Sequence, residues 1–186
     1  MYGSDLSNAN FNDANMYGTD LKGAKLINAT LKNAYMEGAD LSYATLNNAD
    51  LSSANLTGPI LAKANFSKAN LSGATLVDVI AYSTNFNDSN LSRANLSNAN
   101  FMGAQMKGAT FWGAILKETN LENANLENSS LQKAFLGNAI LKNANLSKTD
   151  FKQANLKNAN LFSANLIQAD LSGASLVGAE LHETDL

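Results

Sequence analysis

The chain of 186 residues has no cysteine, one proline, one tryptophan and one histidine. Without cysteine the chain can form neither a disulfide bond nor a thiolate metal site, which suits a reducing compartment. A Ser-His-Asp triad or an imidazole metal cluster would have to be built around His182 alone, and we interpret His182 as a surface side chain. The composition therefore lacks the residues of the commonest catalytic and metal sites.

Long apolar runs and glycine-rich loops are absent as well. The sequence shows neither a signal peptide nor a membrane span, so we expect a cytoplasmic protein. The glycines do not cluster into a phosphate-binding loop. Carboxylates near the end, such as Glu180 and Glu183, show no sign of the enclosing pocket that acid/base catalysis needs. We predict that the protein is not an enzyme and uses no cofactor, no metal and no small-molecule substrate.

What the sequence does contain is an apolar residue at every fifth position, from Met1 to Leu186, without an insertion. Of these 38 positions, 27 are Leu, six are Phe, four are Met and one is Ala81, and no Leu occurs elsewhere. A period of five fits neither the period of about 3.6 of an α-helix nor that of about 2 of a β-strand. We therefore predict a short extended piece and a turn in every unit, so that this Leu column points to one axis inside a coil.

The other four columns support a coil. The Ala column, two residues before the Leu, holds Ala at 27 of 37 positions, and a small inward side chain leaves room for the Leu beside it. The outward column, directly before the Leu, is Asn or Asp at 22 of 37 positions, and such side chains bond nearby backbone and stack in ladders. The second corner position, two after the Leu, holds 11 of the 12 glycines and ten Asn. We predict a turn with positive φ there.

The units ANLSN at 94–98, ANLEN at 124–128 and ADLSG at 169–173 resemble the A(D/N)LXX consensus of pentapeptide repeat proteins. The resemblance covers essentially the whole chain. It implies an all-β fold, a right-handed quadrilateral β-helix of about nine coils, as a single domain over residues 1–186. The residues alone do not decide whether the coil has three sides or four, because glycines recur at spacings of both 15 and 20 residues.

Between residues 57 and 83 the occupants of the columns change while the register is kept. Pro59 takes a position of the Ala column, and because proline lacks a backbone donor we predict one ladder hydrogen bond fewer there. Val79 and Ala81 invert the usual order of a small and then a large inward side chain, with roughly the same total volume. We interpret the stretch as neutral change with compensation; the alternative is a specialised surface or a junction between two arrays.

The charge, net −3 from 16 acidic and 13 basic residues, bears on the function that the resemblance implies. The best-known members of the family mimic duplex DNA and bind type II topoisomerases. A mimic needs a dense run of carboxylates, whereas residues 128–169 carry five lysines against Asp150 alone. The protruding loops and C-terminal dimerisation segment typical of those members are absent, and the surface is not basic enough to indicate nucleic-acid binding.

We therefore predict a rigid rod that serves as a protein-interaction or structural module, similar to small cyanobacterial members of the family. The alternatives are a DNA mimic that binds DNA gyrase, and the rod domain of a larger protein. We expect an unidentified protein partner, and neither nucleic acid nor a membrane. The sequence encodes no capping segment, so the ends either continue into a longer chain or associate with each other or with another molecule.

Four large apolar side chains occupy outward-facing positions that are mostly polar elsewhere in the chain. They form the candidate partner patch, which comprises Trp112, Ile115, Phe135 and Ile140. With 20 residues per coil, Ile115 and Phe135 would stack on one side, with the other two near its corners. A second apolar set has the same spacing: Ile60, Ile80, Tyr82 and Met102. Exposed apolar patches often mark interaction sites, and Trp is enriched in them; the alternative is that these side chains only pack on one another.

Overall fold

The computed structural model describes residues 1–186 as an uninterrupted series of five-residue units, each a two-residue turn and one β-bridge residue. The structure has no helix, and therefore none that could cross a membrane. Its β-structure consists of single bridge residues, each paired in parallel with the residue 20 positions further on, from Asp5 with Lys25 to Asn165 with Asp185. Four units thus complete one coil, so the coil has four sides. The sequence alone did not decide between three sides and four.

The bridges form four ladders, one along each side of the coil, and the bridge residues are those of the outward column. We number the sides in chain order by their first and last bridge residues: the first side runs from Asp5 to Asp185, the second from Asn10 to Asp170, the third from Asn15 to Ser175 and the fourth from Asp20 to Glu180.

Backbone hydrogen bonds account for four of the five N–H groups in a typical unit, as the unit around Leu96 shows. Leu96 donates to Ile115 on the next coil, and the bridge residue Asn95 donates to Ala74 on the previous one. Asn98 also donates to the next coil, and Ala99 closes the turn by donating to the Leu96 carbonyl. The fifth N–H, on Ser97, donates to the side-chain oxygen of Asn95 at 3.1 Å. The Asx residue of the outward column thus completes the backbone bonding of its own corner.

The corners confirm the turn prediction. The second corner position has a positive φ throughout the chain, in glycines and in other residues alike. Glycine and Asn tolerate this conformation best, yet residues such as Tyr43 (φ 61°) and Lys63 (φ 58°) adopt it too. Gly137 is the one glycine without a positive φ, because it occupies the first corner position, directly after a Leu.

The interior is formed by the Leu and Ala columns, as the sequence predicted. From Leu21 to Leu161 the members of the Leu column are buried, most of them completely. Towards the two ends of the coil, members such as Phe11 and Leu176 are only partly buried. Three buried Thr residues of the Ala column, Thr84, Thr119 and Thr149, each donate their hydroxyl to a Leu carbonyl of the previous coil, so these polar atoms are satisfied inside the core.

The stretch from 57 to 83 keeps the ladder intact, and the prediction of a lost ladder bond at Pro59 was wrong. Ile60 still donates to Ala39, and the Pro59 carbonyl still accepts from Ile80. The N–H that proline removes belongs to the Ala column, whose donors close the turn inside their own unit, so Pro59 costs a turn bond. Val79, one coil further on, also makes no turn bond.

Candidate functional site

Ile115 and Phe135 are directly bridged on adjacent coils of the third side. Their side chains are 40% and 52% exposed, in a column where Asn and Asp prevail. Neighbouring bridge residues of a ladder lie about 4.8 Å apart, so the two side chains form one apolar surface.

Ile115 and Phe135 occupy positions where Asn prevails, so the corner between the third and fourth sides has two fewer hydrogen-bond acceptors. On the coils before and after, Asn95 accepts from the N–H of Ser97 and Asn155 accepts from the N–H of Lys157, each at 3.1 Å. The corresponding N–H groups of Lys117 and Gly137 have no acceptor within the chain. Two neighbouring backbone donors are therefore uncapped beside the apolar pair.

Gly137 opens a groove next to Phe135. The groove is lined by Ile115, Lys117, Phe135, Gly137 and Asn155, and we call it the third-side groove. A Cβ placed on Gly137 would meet only the carbonyl oxygen of Lys157, at 3.9 Å. Because Gly137 does not have a positive φ, its backbone does not require glycine, and the absence of a side chain leaves this space open.

Trp112 lies at the corner between the second and third sides, half-buried, and does not line the third-side groove. Its ring is held between two cations of the neighbouring coils: the Arg93 guanidinium is 4.9 Å and the Lys133 ammonium 5.7 Å from the ring centroid. Cations over an indole face are attracted by the ring electrons. Trp112 therefore fixes two positive charges along one edge of the third side.

Ile140 is a bridge residue of the fourth side, paired with Asn120 and Asn160. Its side chain is 40% exposed, but it projects from the next side of the coil and does not line the third-side groove. The structure thus brings together Ile115 and Phe135, places Trp112 at one corner, and separates Ile140 from them.

The second apolar set lies on and beside the fourth side. Ile60 and Ile80 are bridged on adjacent coils, and Tyr82 and Met102 occupy the corner after this side; all four are exposed. The N–H groups of Ala62 and Tyr82 lack an Asx acceptor, for the same reason as those of Lys117 and Gly137. No groove is formed over this set, so we regard it as the weaker candidate.

The charges on the third side and its two corners are mostly positive over residues 92–158. The side carries five cations and the single carboxylate of Glu118; the cations are Arg93, Lys117, Lys133, Lys152 and Lys157. Lys117 pairs with Glu118 at 3.3 Å, and Lys152 pairs with Asp150 and Asp170 of the second side at 3.6 and 2.9 Å. The other three have no carboxylate partner.

The carboxylates of the outward column show what an uncapped corner N–H can bind. The oxygen of Asp170 accepts from the N–H of Ser172 at 2.9 Å. Hydrogen bonds from Ser172, with a contribution from Lys152, lower the pKa of Asp170 from its ordinary 3.8 to about 2. A corner N–H next to a lysine therefore stabilises a carboxylate in its charged form.

Other chemistry is sparse in the structure. His182 is exposed, and no group of three or more His, Cys, Asp or Glu side chains could hold a metal ion. The sequence prediction missed Lys117, Gly137 and Asn155 as groove residues. A signal for Gly137 was nevertheless available, since it is the one glycine outside the second corner position.

Comparison with known proteins gives a family and several similar structures. The model of the family described as pentapeptide repeats matches in eight copies, over residues 1–26, 19–58, 49–88, 84–123, 119–158 and 154–186. The comparison with curated proteins gives no match.

Three solved structures illustrate the range of similarity. HetL from the cyanobacterium Nostoc sp. strain PCC 7120, a pentapeptide repeat protein involved in heterocyst differentiation regulation, is 32% identical with a TM-score of 0.69 over 100% of this chain and 84% of HetL. A pentapeptide repeat protein from the thylakoid lumen of Arabidopsis thaliana is 35% identical with a TM-score of 0.52, over 52% of this chain and 68% of that one. QnrB1, a plasmid-mediated fluoroquinolone resistance protein, is 21% identical over 97% of this chain and 88% of its own, with a TM-score of only 0.36.

The family model covers the chain from its first residue to its last, and HetL aligns with all of it. The five-residue units, the corners with positive φ and the 20-residue bridges are those of the four-sided β-helix that the resemblance implies. The chain therefore belongs to the pentapeptide repeat family.

Proposed function

We propose that this chain is a right-handed rod of about nine coils that binds a protein partner through the third-side groove and catalyses no reaction. The observation that carries the proposal is the pair Ile115 and Phe135, two bridged and exposed apolar side chains next to two uncapped backbone donors. Apolar side chains in a concave surface with free polar groups at its rim are typical of protein interfaces.

The relatives support an interaction role. HetL is involved in the regulation of heterocyst differentiation, and a rigid coil with extended flat sides suits the binding of a regulatory partner. The alternative of a DNA mimic has less support, because the third side is positively charged over residues 92–158. A partner whose site is built for phosphates would be repelled by that side.

The double substitution Trp112→Ser with Phe135→Asn tests the proposal. We expect the melting temperature to stay within a few degrees, because neither side chain belongs to the buried core and Phe135→Asn introduces the residue type that prevails in this column. Capture of the partner from the source cell by the immobilised chain should weaken about tenfold or more. If every captured protein is retained unchanged, or if the variant unfolds, the groove is not the interface.

A further inference from the structure

The chemistry of the third-side groove indicates what kind of segment it binds. The groove presents two corner N–H groups, of Lys117 and Gly137, on adjacent coils. Neighbouring strands of a sheet are about 4.8 Å apart, so these two N–H groups are separated by about the distance between adjacent coils. The same corner is capped by side-chain oxygens on the coils before and after. An incoming acceptor would therefore continue an existing column of bonds.

Carboxylates fit such a corner in this very chain. The corner N–H is capped by an aspartate oxygen in six units, at distances of 2.8 to 3.1 Å, namely those of Asp5, Asp20, Asp40, Asp50, Asp150 and Asp170. The arrangement of Asp170, with a corner N–H and a lysine on one carboxylate, has its counterpart in the groove. There Lys117 and Lys157 occupy the same corner two coils apart, with Gly137 on the coil between them.

Charge complementarity also favours an acidic partner. The third side and its corners carry five cations against Glu118 over residues 92–158, although the whole chain has a net charge of −3. Arg93, Lys133 and Lys157 make no ion pair within the chain. A concentration of unpaired positive charge on one side of an acidic protein attracts negatively charged segments and repels positive ones.

The apolar part of the groove favours a partner that also supplies an apolar side chain. Ile115 and Phe135 leave apolar surface exposed, and a partner that buries it gains about 25 cal/mol per Å². The ring of Trp112 is already covered by Arg93 and Lys133, so it is not free to stack on a nucleic-acid base. These features favour a peptide over a nucleic acid.

We propose that the third-side groove binds an acidic peptide segment of the partner protein, with carboxylates on the N–H groups of Lys117 and Gly137 and an apolar side chain over Ile115 and Phe135. The inference rests on the proposed function, namely that the groove is a protein interface, and it adds the chemical class of the ligand.

Fluorescence anisotropy with short labelled peptides tests the inference on the full chain. The probes share one frame: Glu-Glu-Leu-Glu-Glu, the neutral Gln-Gln-Leu-Gln-Gln, and Glu-Glu-Ser-Glu-Glu without the apolar side chain. An oligo-dT strand supplies a nucleic-acid probe. We expect the first peptide to bind about tenfold or more tightly than any other probe, and its affinity to fall as salt is raised.

Substitutions at Gly137 give the sharpest matched pair. Gly137→Leu fills the groove, whereas Gly137→Ala adds only a Cβ for which the structure has room; neither meets backbone strain, because φ is not positive at this residue. We expect Leu to weaken binding of the acidic peptide about tenfold and Ala to change it less than about twofold. Both variants should melt like the original chain.

A second pair of variants separates charge from shape. Lys157→Gln should weaken binding of the acidic peptide severalfold. Lys148→Gln, at the corner between the first and second sides, should leave that binding unchanged. The double change Ile115→Asn with Phe135→Asn restores both caps and should abolish binding without loss of stability.

The results distinguish the inference from the proposed function. If the Gln peptide binds as tightly as the Glu peptide and Gly137→Leu weakens both, the acidic class is wrong while the groove remains a protein interface. If no peptide binds, or if oligo-dT binds more tightly than the peptides, the inference is overturned. If Gly137→Leu and the Trp112→Ser, Phe135→Asn variant retain every captured partner protein, the proposed function itself is wrong.

Discussion

At the scale of the residue, each position of the five-residue unit has one physical task, and the cost of a substitution depends on the column it falls in. Leu96 is completely buried, whereas its neighbour Ser97 lies at a corner and is only partly covered. The two residues are adjacent in the chain but differ in what surrounds them. The column, more than the residue type, therefore decides how a substitution affects stability.

The substitutions Leu96→Asp and Ser97→Asp test this dependence directly. Leu96→Asp should abolish cooperative unfolding, because it buries an unpaired carboxylate at a cost of several kcal/mol and loses about 1.5 to 3 kcal/mol of apolar burial. Ser97→Asp should change the free energy of unfolding by less than about 0.5 kcal/mol. Thermal and urea unfolding followed by circular dichroism provides both values. Similar unfolding curves for the two variants would contradict the assignment of the columns.

At the scale of the coil, several outward Asx residues bond both within their unit and along a side. The Asn145 oxygen accepts from the N–H of Ser147 at 3.1 Å, while its amide donates to the Asn125 oxygen of the previous coil at 3.2 Å. Asn145 thus connects its own corner to the adjacent coil, and Asn70 and Asn90 on the second side do the same. Where Asp takes this place, the contribution of the bond depends on its ionisation.

Acid should destabilise the last coils through Asp170. Its pKa is lowered from 3.8 to about 2 in the folded chain by hydrogen bonds from Ser172 and by Lys152. Because the folded pKa lies below the unfolded one, the stabilisation is fully present above about pH 4 and is lost as the pH falls towards 2. Urea unfolding at pH 5, 4, 3 and 2 should show this loss.

Asp170→Asn provides the control for the acid effect, because the amide oxygen keeps the bond to Ser172 but cannot titrate. The variant should lose less stability between pH 4 and 2 than the original chain. An equal loss in both chains would assign the acid sensitivity to other carboxylates; the pKa of Asp5, for example, is also lowered by its bonds with Ser7.

At the scale of the whole molecule, the distribution of charge argues against a mimic of duplex DNA. Asp20 is bridged to Asp40 and Asp150 to Asp170, so carboxylates do stack in pairs. Lys152 pairs with both carboxylates of the second pair, 3.6 Å from Asp150 and 2.9 Å from Asp170, and halves their net charge. A continuous row of carboxylates does not form along any of the four sides.

The purified chain should therefore neither inhibit DNA gyrase nor protect it at low micromolar concentration. The physical reason is that the DNA-binding groove of gyrase is built for one phosphate charge per about 1.7 Å of duplex. This chain presents only isolated carboxylates and interspersed lysines. A supercoiling assay with titrated protein measures the effect, and a known gyrase-binding member of the family serves as the positive control. Clear inhibition would favour the DNA mimic over the interaction rod.

The sequence by itself determined which side chains are inside, which are outside and where the chain turns. Away from the two ends the Leu and Ala columns are buried, and the second corner position of each unit has a positive φ. These properties follow from local sequence because each unit is only five residues long, and steric limits on φ and the small size of Ala act within a single unit.

Only the tertiary structure decided how the units combine. The 20-residue register depends on bonds between residues on different coils, and a period of five is the same for three sides as for four. The register places Phe135 directly on Ile115 and puts Ile140 on another side. It also shows that Pro59 loses a turn bond and no ladder bond. The groove beside Gly137 forms because three consecutive coils bring Ile115, Phe135 and Asn155 together, and the spacing within one unit carries no information about contacts between coils.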